Sequence, residues 1–309
     1  MGEASFARPS AYRSAIAELQ GSLYPPVTMR QQALDLLRLT GTVEDDTIDV
    51  AEVALALAVL DQPVPDLAPY RAHLAQLAAD LAARVAAASS PPDLAGRIAL
   101  LGSVLTEQHG YQGDPETYAD LQNANLIRVI DRRRGLPVAL GILMIHMARA
   151  QGWTVQGLGF PGHFLIRLDH DGGRAILDPF AGGTVCEPQT LRELLKQTAG
   201  LEAELSPDHY APVPNRDILV RLQNNLKLRH LGADLPEQAL TVVENMLLFA
   251  PDLPTLWREA GLLHAHLGQL GQAIRAFENF MEAGRRRGAS DQLLQHTAQL
   301  IQQLRTRLN

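Results

Sequence analysis

The stretch GHFLIRLDHDGGRAILDPFAGG, residues 162–183, carries a histidine at the head of one β-like run, His163, and an aspartate at the end of the next, Asp178. A carboxylate behind an imidazole fixes the tautomer and stabilises the protonated ring, which is what a general base requires. A thiol or hydroxyl as third member would complete a nucleophilic triad. The alternative use of the same pair is a structural hydrogen bond, with Asp178 also capping the Asp178-Pro179-Phe180 turn.

The two residues meet only if the strands pair in the right register. Asp171 and Gly172 are a strong hairpin signal, and a turn there sets Asp169 opposite Arg174, Leu165 opposite Asp178 and His163 opposite Phe180. His163, Leu165 and Asp178 then share a face, with His163 and Asp178 diagonal neighbours. A one-residue bulge would separate them.

Before the hairpin runs LPVALGILMIHMARAQG, residues 136–152, apolar on nearly every side and therefore read as a buried helix. Pro137 fits its first turn, where a missing N–H costs nothing, and Gly152 fits its end. Residues 11–109 read as helical, from Ala- and Leu-rich segments at helical spacing; TVEDDTIDVAEVALALAVLD, residues 42–61, is expected to be one helix that opens at Thr42 with an acidic first turn. Residues 201–215, with three prolines, read as a linker or irregular strap. From 216 onward the chain is helical with a 34-residue spacing that sets Ala239 over Ala273. Trp257, Gly261, Ala273 and Phe277 sample the tetratricopeptide pattern, in which small residues let paired helices approach.

Bulk properties narrow the function. A net charge of −7 opposes nucleic-acid binding, and the arginine runs 132–134 and 285–287 read as solvated helix ends or loops. No apolar segment is long enough to span a bilayer, and the first twenty residues lack a secretory signal, so a cytoplasmic protein is expected. One cysteine, Cys186, excludes an internal disulfide and a cysteine-based zinc cluster. No phosphate loop, dinucleotide fingerprint or metalloprotease motif occurs, and neither cofactor nor metal is expected.

RRRGLPVALGILMIHMARAQG, GFPGHFLIRL and ILDPFAGG resemble the transglutaminase-like superfamily over residues 111–200. The order of regions is similar to the SirB-one-like family, which joins a helical N-terminal part to such a core and a tetratricopeptide-like tail. The resemblance implies that His163 and Asp178 match the superfamily's catalytic His and Asp. It places the nucleophile near Pro137, where GLPVAL offers no Cys, Ser or Thr. Tyr118, Asp120, Asn123 and Asn125 match a polar stretch that lines the same cleft or pins a loop to the core. Cys186, past a glycine turn, could stand near the site or away from it.

The expected fold class is α+β: a mostly helical chain with a transglutaminase-like (papain-like) helix-and-antiparallel-sheet core and C-terminal helical hairpins. The expected divisions are a helical region 1–110, the core 111–200, a linker 201–215 and the tetratricopeptide-like domain 216–309. The expected function is a non-catalytic protein- or peptide-binding or regulatory module. The competing expectation is a hydrolase or amidase in which His163 and Asp178 activate Cys186 or a water.

Overall fold

A computed structural model describes residues 28–308, except 63 and 65. The part of the helical reading of residues 11–109 that falls on 11–27 lies outside the described residues. The chain divides into two compact units. One contains the described residues up to Ala33 together with Glu44–Leu222; the other contains Leu34–Val43 and the chain from Gln223 onward.

The first unit is built around the helix Pro137–Ala150. Its residues are buried without a break from Pro137 to Ile145, as an all-apolar sequence requires. Leu136 precedes it in extended conformation, and Pro137 occupies its first turn. Gly152, at φ 72°, follows its end. The helices Val50–Asp61, Ala68–Ala87 and Leu94–Gly102 all pack on this central helix.

The helix expected to open at Thr42 with an acidic first turn instead starts at Val50. Asp49 caps it by accepting from the backbone N–H groups of Ala51 and Glu52 at 3.1 and 3.2 Å. The reason lies far along the chain. Asp45 is withdrawn into a separate tight turn, Asp45–Thr47. There its carboxylate accepts from the backbone N–H groups of Asn215 and Arg216 at 2.6 and 3.0 Å, capping the helix Asn215–Gly232.

Four antiparallel strands pair in chain order: β3 (Thr154–Gly157), β4 (Ile166–His170), β5 (Gly173–Asp178) and β6 (Thr184–Val185). A separate parallel pair joins β1 (Gln112–Gly113) to β2 (Arg134–Gly135). Ile166, Leu168, Ala175 and Leu177 put one face of the β4–β5 hairpin in the core. On the other side Leu158, Phe160, Leu165 and Cys186 cluster with Leu191 and Leu195 of the helix Pro188–Ala199. The irregular strap lies along the end of β3: Val213 donates to the Gly157 carbonyl at 2.9 Å, and Gly159 donates to that of Ala211 at 3.1 Å.

In the second unit the helices Pro236–Phe249, Pro254–His266, Leu270–Arg286 and Asp291–Leu308 pack successively. Ala239, Ala273 and Phe277 are buried, and a Cβ on Gly261 would stand 2.6 Å from the Phe277 ring, so glycine sets the helix spacing there. Trp257 donates its indole N–H to the Pro251 carbonyl at 2.7 Å. Lys227 stands one repeat before Gly261; it is buried and ion-paired with Glu259 at 2.7 Å.

The first arginine run departs from a solvated helix end. Arg132 pairs with the buried Asp114 at 3.1 Å, and Arg133 stacks over the Tyr111 ring at 4.8 Å. Only Arg134 makes an exposed pair, with Glu116.

Candidate functional site

The hairpin has the register that its turn dictates, Asp169 opposite Arg174. Its ladder stops at Ile166 opposite Leu177, so His163 lies in the turn before β4 and not on the strand. His163 Nε2 and Asp178 Oδ1 are nonetheless 2.9 Å apart, with side chains only 16% and 13% exposed. The backbone N–H of Phe180 donates to the same Asp178 oxygen at 2.8 Å. Asp178 thus both holds the imidazole and caps its own turn, a geometry compatible with either use open to it from sequence. With Nε2–H donated to the carboxylate, Nδ1 carries the lone pair of the neutral ring.

Phe180 gathers the surrounding elements. Its ring meets His163 edge-on at 6.4 Å and Tyr118 at 5.8 Å. It presses on β1 so closely that a Cβ on Gly113 would lie 2.6 Å from it. On the other side Phe164 and Pro179 pack on Gly141 of the central helix, where a Cβ would stand 2.5 Å from the Phe164 ring. The buried core helix, the hairpin and the β1 loop thus converge on the pair.

Of the polar stretch, Tyr118 reaches this place through the Phe180 ring, and it is 42% exposed. Asp120 accepts from the Gln122 backbone at 2.9 Å as a cap. Asn123 donates to the Thr117 carbonyl at 2.6 Å and accepts from Arg132 at 3.0 Å. Asn125 donates to the Ala58 carbonyl and the Asp61 carboxylate, tying the loop to the helix Val50–Asp61. These three pin the loop. Asp114 belongs to the same network, its carboxyl held down to about 2 chiefly by hydrogen bonds from Thr117.

Pro137 is buried at the helix start and brings no nucleophile. Cys186 is 6% exposed in the Leu158–Phe160–Leu165 cluster, and its N–H donates to the Ile176 carbonyl. Burial pushes its thiol up to about 12, with the Asp178 charge adding to the effect. Such a thiol is protonated near neutrality and is a poor nucleophile. Among the described residues no group of three or more His, Cys, Asp and Glu could hold a metal ion.

Arg221 and Phe180 were not among the candidates read from the sequence. One terminal nitrogen of Arg221 donates to the carbonyls of Phe160 and His163 at 2.6 and 2.7 Å. Burial lowers the guanidinium's pKa, the Tyr118 phenol opposing it. The Asp178-Pro179-Phe180 turn was the available sign of Phe180.

Residues 68–224 match the family described as the transglutaminase-like superfamily, and residues 226–309 match the tetratricopeptide repeat. The chain belongs to the transglutaminase-like superfamily, as a SirB-like member. A "UPF0162 protein" of Xylella fastidiosa strain Temecula1 is 31% identical over 260 residues, covering 82% of this chain and 90% of its own. A protein of the same description from Vibrio cholerae serotype O1 is 32% identical over 238 residues, covering 77% and 87%. "Protein SirB1" of Salmonella typhimurium is 28% identical over 158 residues, covering 51% and 58%. The α+β class and the helical-repeat tail expected of this SirB-like chain are both present. Among the described residues no helix is long and apolar enough to cross a membrane.

Proposed function

We propose that the transglutaminase-like core binds a peptide segment in the cleft at His163, Asp178 and Tyr118 without cysteine-based acyl transfer. The tetratricopeptide repeats offer a second protein-interaction surface, in a cytoplasmic regulatory protein. The observation that carries this reading is the pair of facts about nucleophiles: the helix start holds Pro137, and the lone thiol is buried and raised to about 12. Helical repeats suit extended or helical peptide ligands.

Alkylation of Cys186 from about pH 5 to about pH 9 tests the absence of a reactive thiol. Labelling is expected to be slow throughout and unchanged by His163→Ala. Rapid labelling near pH 6 that collapses in His163→Ala would overturn the reading and establish an ion-paired nucleophile. For binding, a random-peptide display library is selected on the intact protein. Enriched peptides are expected to bind the wild type and lose binding on Tyr118→Ala; a selection indifferent to that change overturns a cleft-borne site.

One observation favours a second reading, a hydrolase or amidase that activates water. The carboxylate-oriented imidazole keeps Nδ1 as a base. Its signature is amide hydrolysis by the wild type that disappears in His163→Ala.

A further inference from the structure

We propose that Arg221 is the positioning residue of the His163–Asp178 pair, reaching the imidazole through the backbone of the loop that carries it. The loop runs from Phe160 through Pro161 and Gly162 to His163. A single nitrogen, Nη2 of Arg221, holds the carbonyls at both ends, at 2.6 Å to Phe160 and 2.7 Å to His163. Hydrogen bonds from a charged donor are the strong ones, and a partly desolvated guanidinium needs such acceptors. The same guanidinium lies 5.7 Å from the centre of the ring of Phe164, the residue that follows His163.

The clamp is itself held in place. Ile218, one helical turn before Arg221, packs its side chain 3.0 Å from where a Cβ on Gly157 would be, and so against the end of β3. Asp45 caps the first turn of the same helix. Within the loop, Gly162 is left-handed at φ 68°, and a Cβ there would fall 2.3 Å from Thr198 Cγ2. The Thr198 hydroxyl stands 3.3 Å from the Pro161 carbonyl, beside the Leu194 and Leu195 carbonyls of its own helix at 3.2 and 3.1 Å, which share its single proton. The middle of the loop rests on Thr198 and its two ends on Arg221. With the His163 carbonyl fixed, the imidazole has a defined origin from which to meet Asp178 at 2.9 Å. An arginine used only to fill space would require none of these acceptors.

The inference rests on reading the His163 cleft as the site, yet its test observes the imidazole directly and needs no peptide. The Nε2 proton of His163 is followed by imidazole-selective NMR in the intact wild type, Arg221→Met and Arg221→Lys, beside the backbone amides of Pro137–Ala150. The wild type is expected to give a slowly exchanging Nε2–H signal. In Arg221→Met its exchange with water rises about tenfold or more, while the central-helix amides keep their protection. Arg221→Lys, which retains charge and a donor, is expected to fall between the two. An Nε2–H lifetime unchanged in both variants, or a loss of protection spread equally over the central helix, assigns Arg221 a merely structural role and overturns the proposal. Where Arg221→Met does not fold, Arg221→Lys decides alone: selective shortening of the Nε2–H lifetime supports positioning, and an unchanged lifetime overturns it.

Discussion

A proton placed on His73 would face the guanidinium of Arg133 at 2.6 Å and the Tyr111 hydroxyl at 2.9 Å. Burial first, then the charge of Arg133 and the neighbouring His109, push His73 down from 6.5 to about 4, with Asp80 opposing. The folded pKa lies below the unfolded one, so the unfolded chain binds more protons between these values. Stability is therefore full above about pH 6.5 and is lost as the pH falls through about 4. Urea midpoints at several pH values should show this loss, and His73→Gln should flatten it. Asp114 has the opposite sign of charge but the same direction: its folded carboxyl sits at about 2 against 3.8, so its contribution is lost only below that higher value. At this scale the Asp171-Gly172 turn sets the hairpin register that ends strand β5 at Asp178, while His163 lies beyond the ladder and meets that carboxylate from the turn before β4. The sequence does not yield Arg221, which acts 58 residues from His163 on a backbone carbonyl, a partner that every residue type supplies equally.

Elements were legible where one local signal dominated. The central helix follows from an apolar run with proline at its head and glycine past its tail. The sequence points to Thr42 as the start of the helix Val50–Asp61, because its acidic approach contains two caps for two helices, and only tertiary structure shows that Asp45 serves the distant one. Replacing Asp45 by Ala should therefore cost about 1–2 kcal/mol, read by urea unfolding, although the residue lies in no helix that it stabilises. The parallel pair β1–β2 is too short to announce itself in sequence, yet Gly113 seats Phe180 beneath His163 and Tyr118. Gly113→Ala must displace that ring. A loss of about 1–3 kcal/mol is expected, together with a changed Tyr118 environment by NMR. Normal stability with an unmoved Tyr118 signal would contradict this packing.

For the whole molecule, the division between compact units leaves no mark in composition or repeat spacing. It falls inside the continuous helix Asn215–Gly232, between Leu222 and Gln223, where the sequence offers neither proline nor glycine. Asn225→Pro, just past that division, should cost about 3 kcal/mol or more by calorimetry. The cap on this helix has a consequence for how the protein is made. Asp45 and Asn215 are 170 residues apart, so their bond closes a very large loop, and such closures slow folding more than they weaken the final state. On a ribosome, Asp45 emerges long before its partner is synthesised. The first unit must wait with that carboxylate unused until the tail helix appears, and a nascent chain stalled short of Asn215 is a candidate for chaperone capture and proteolysis.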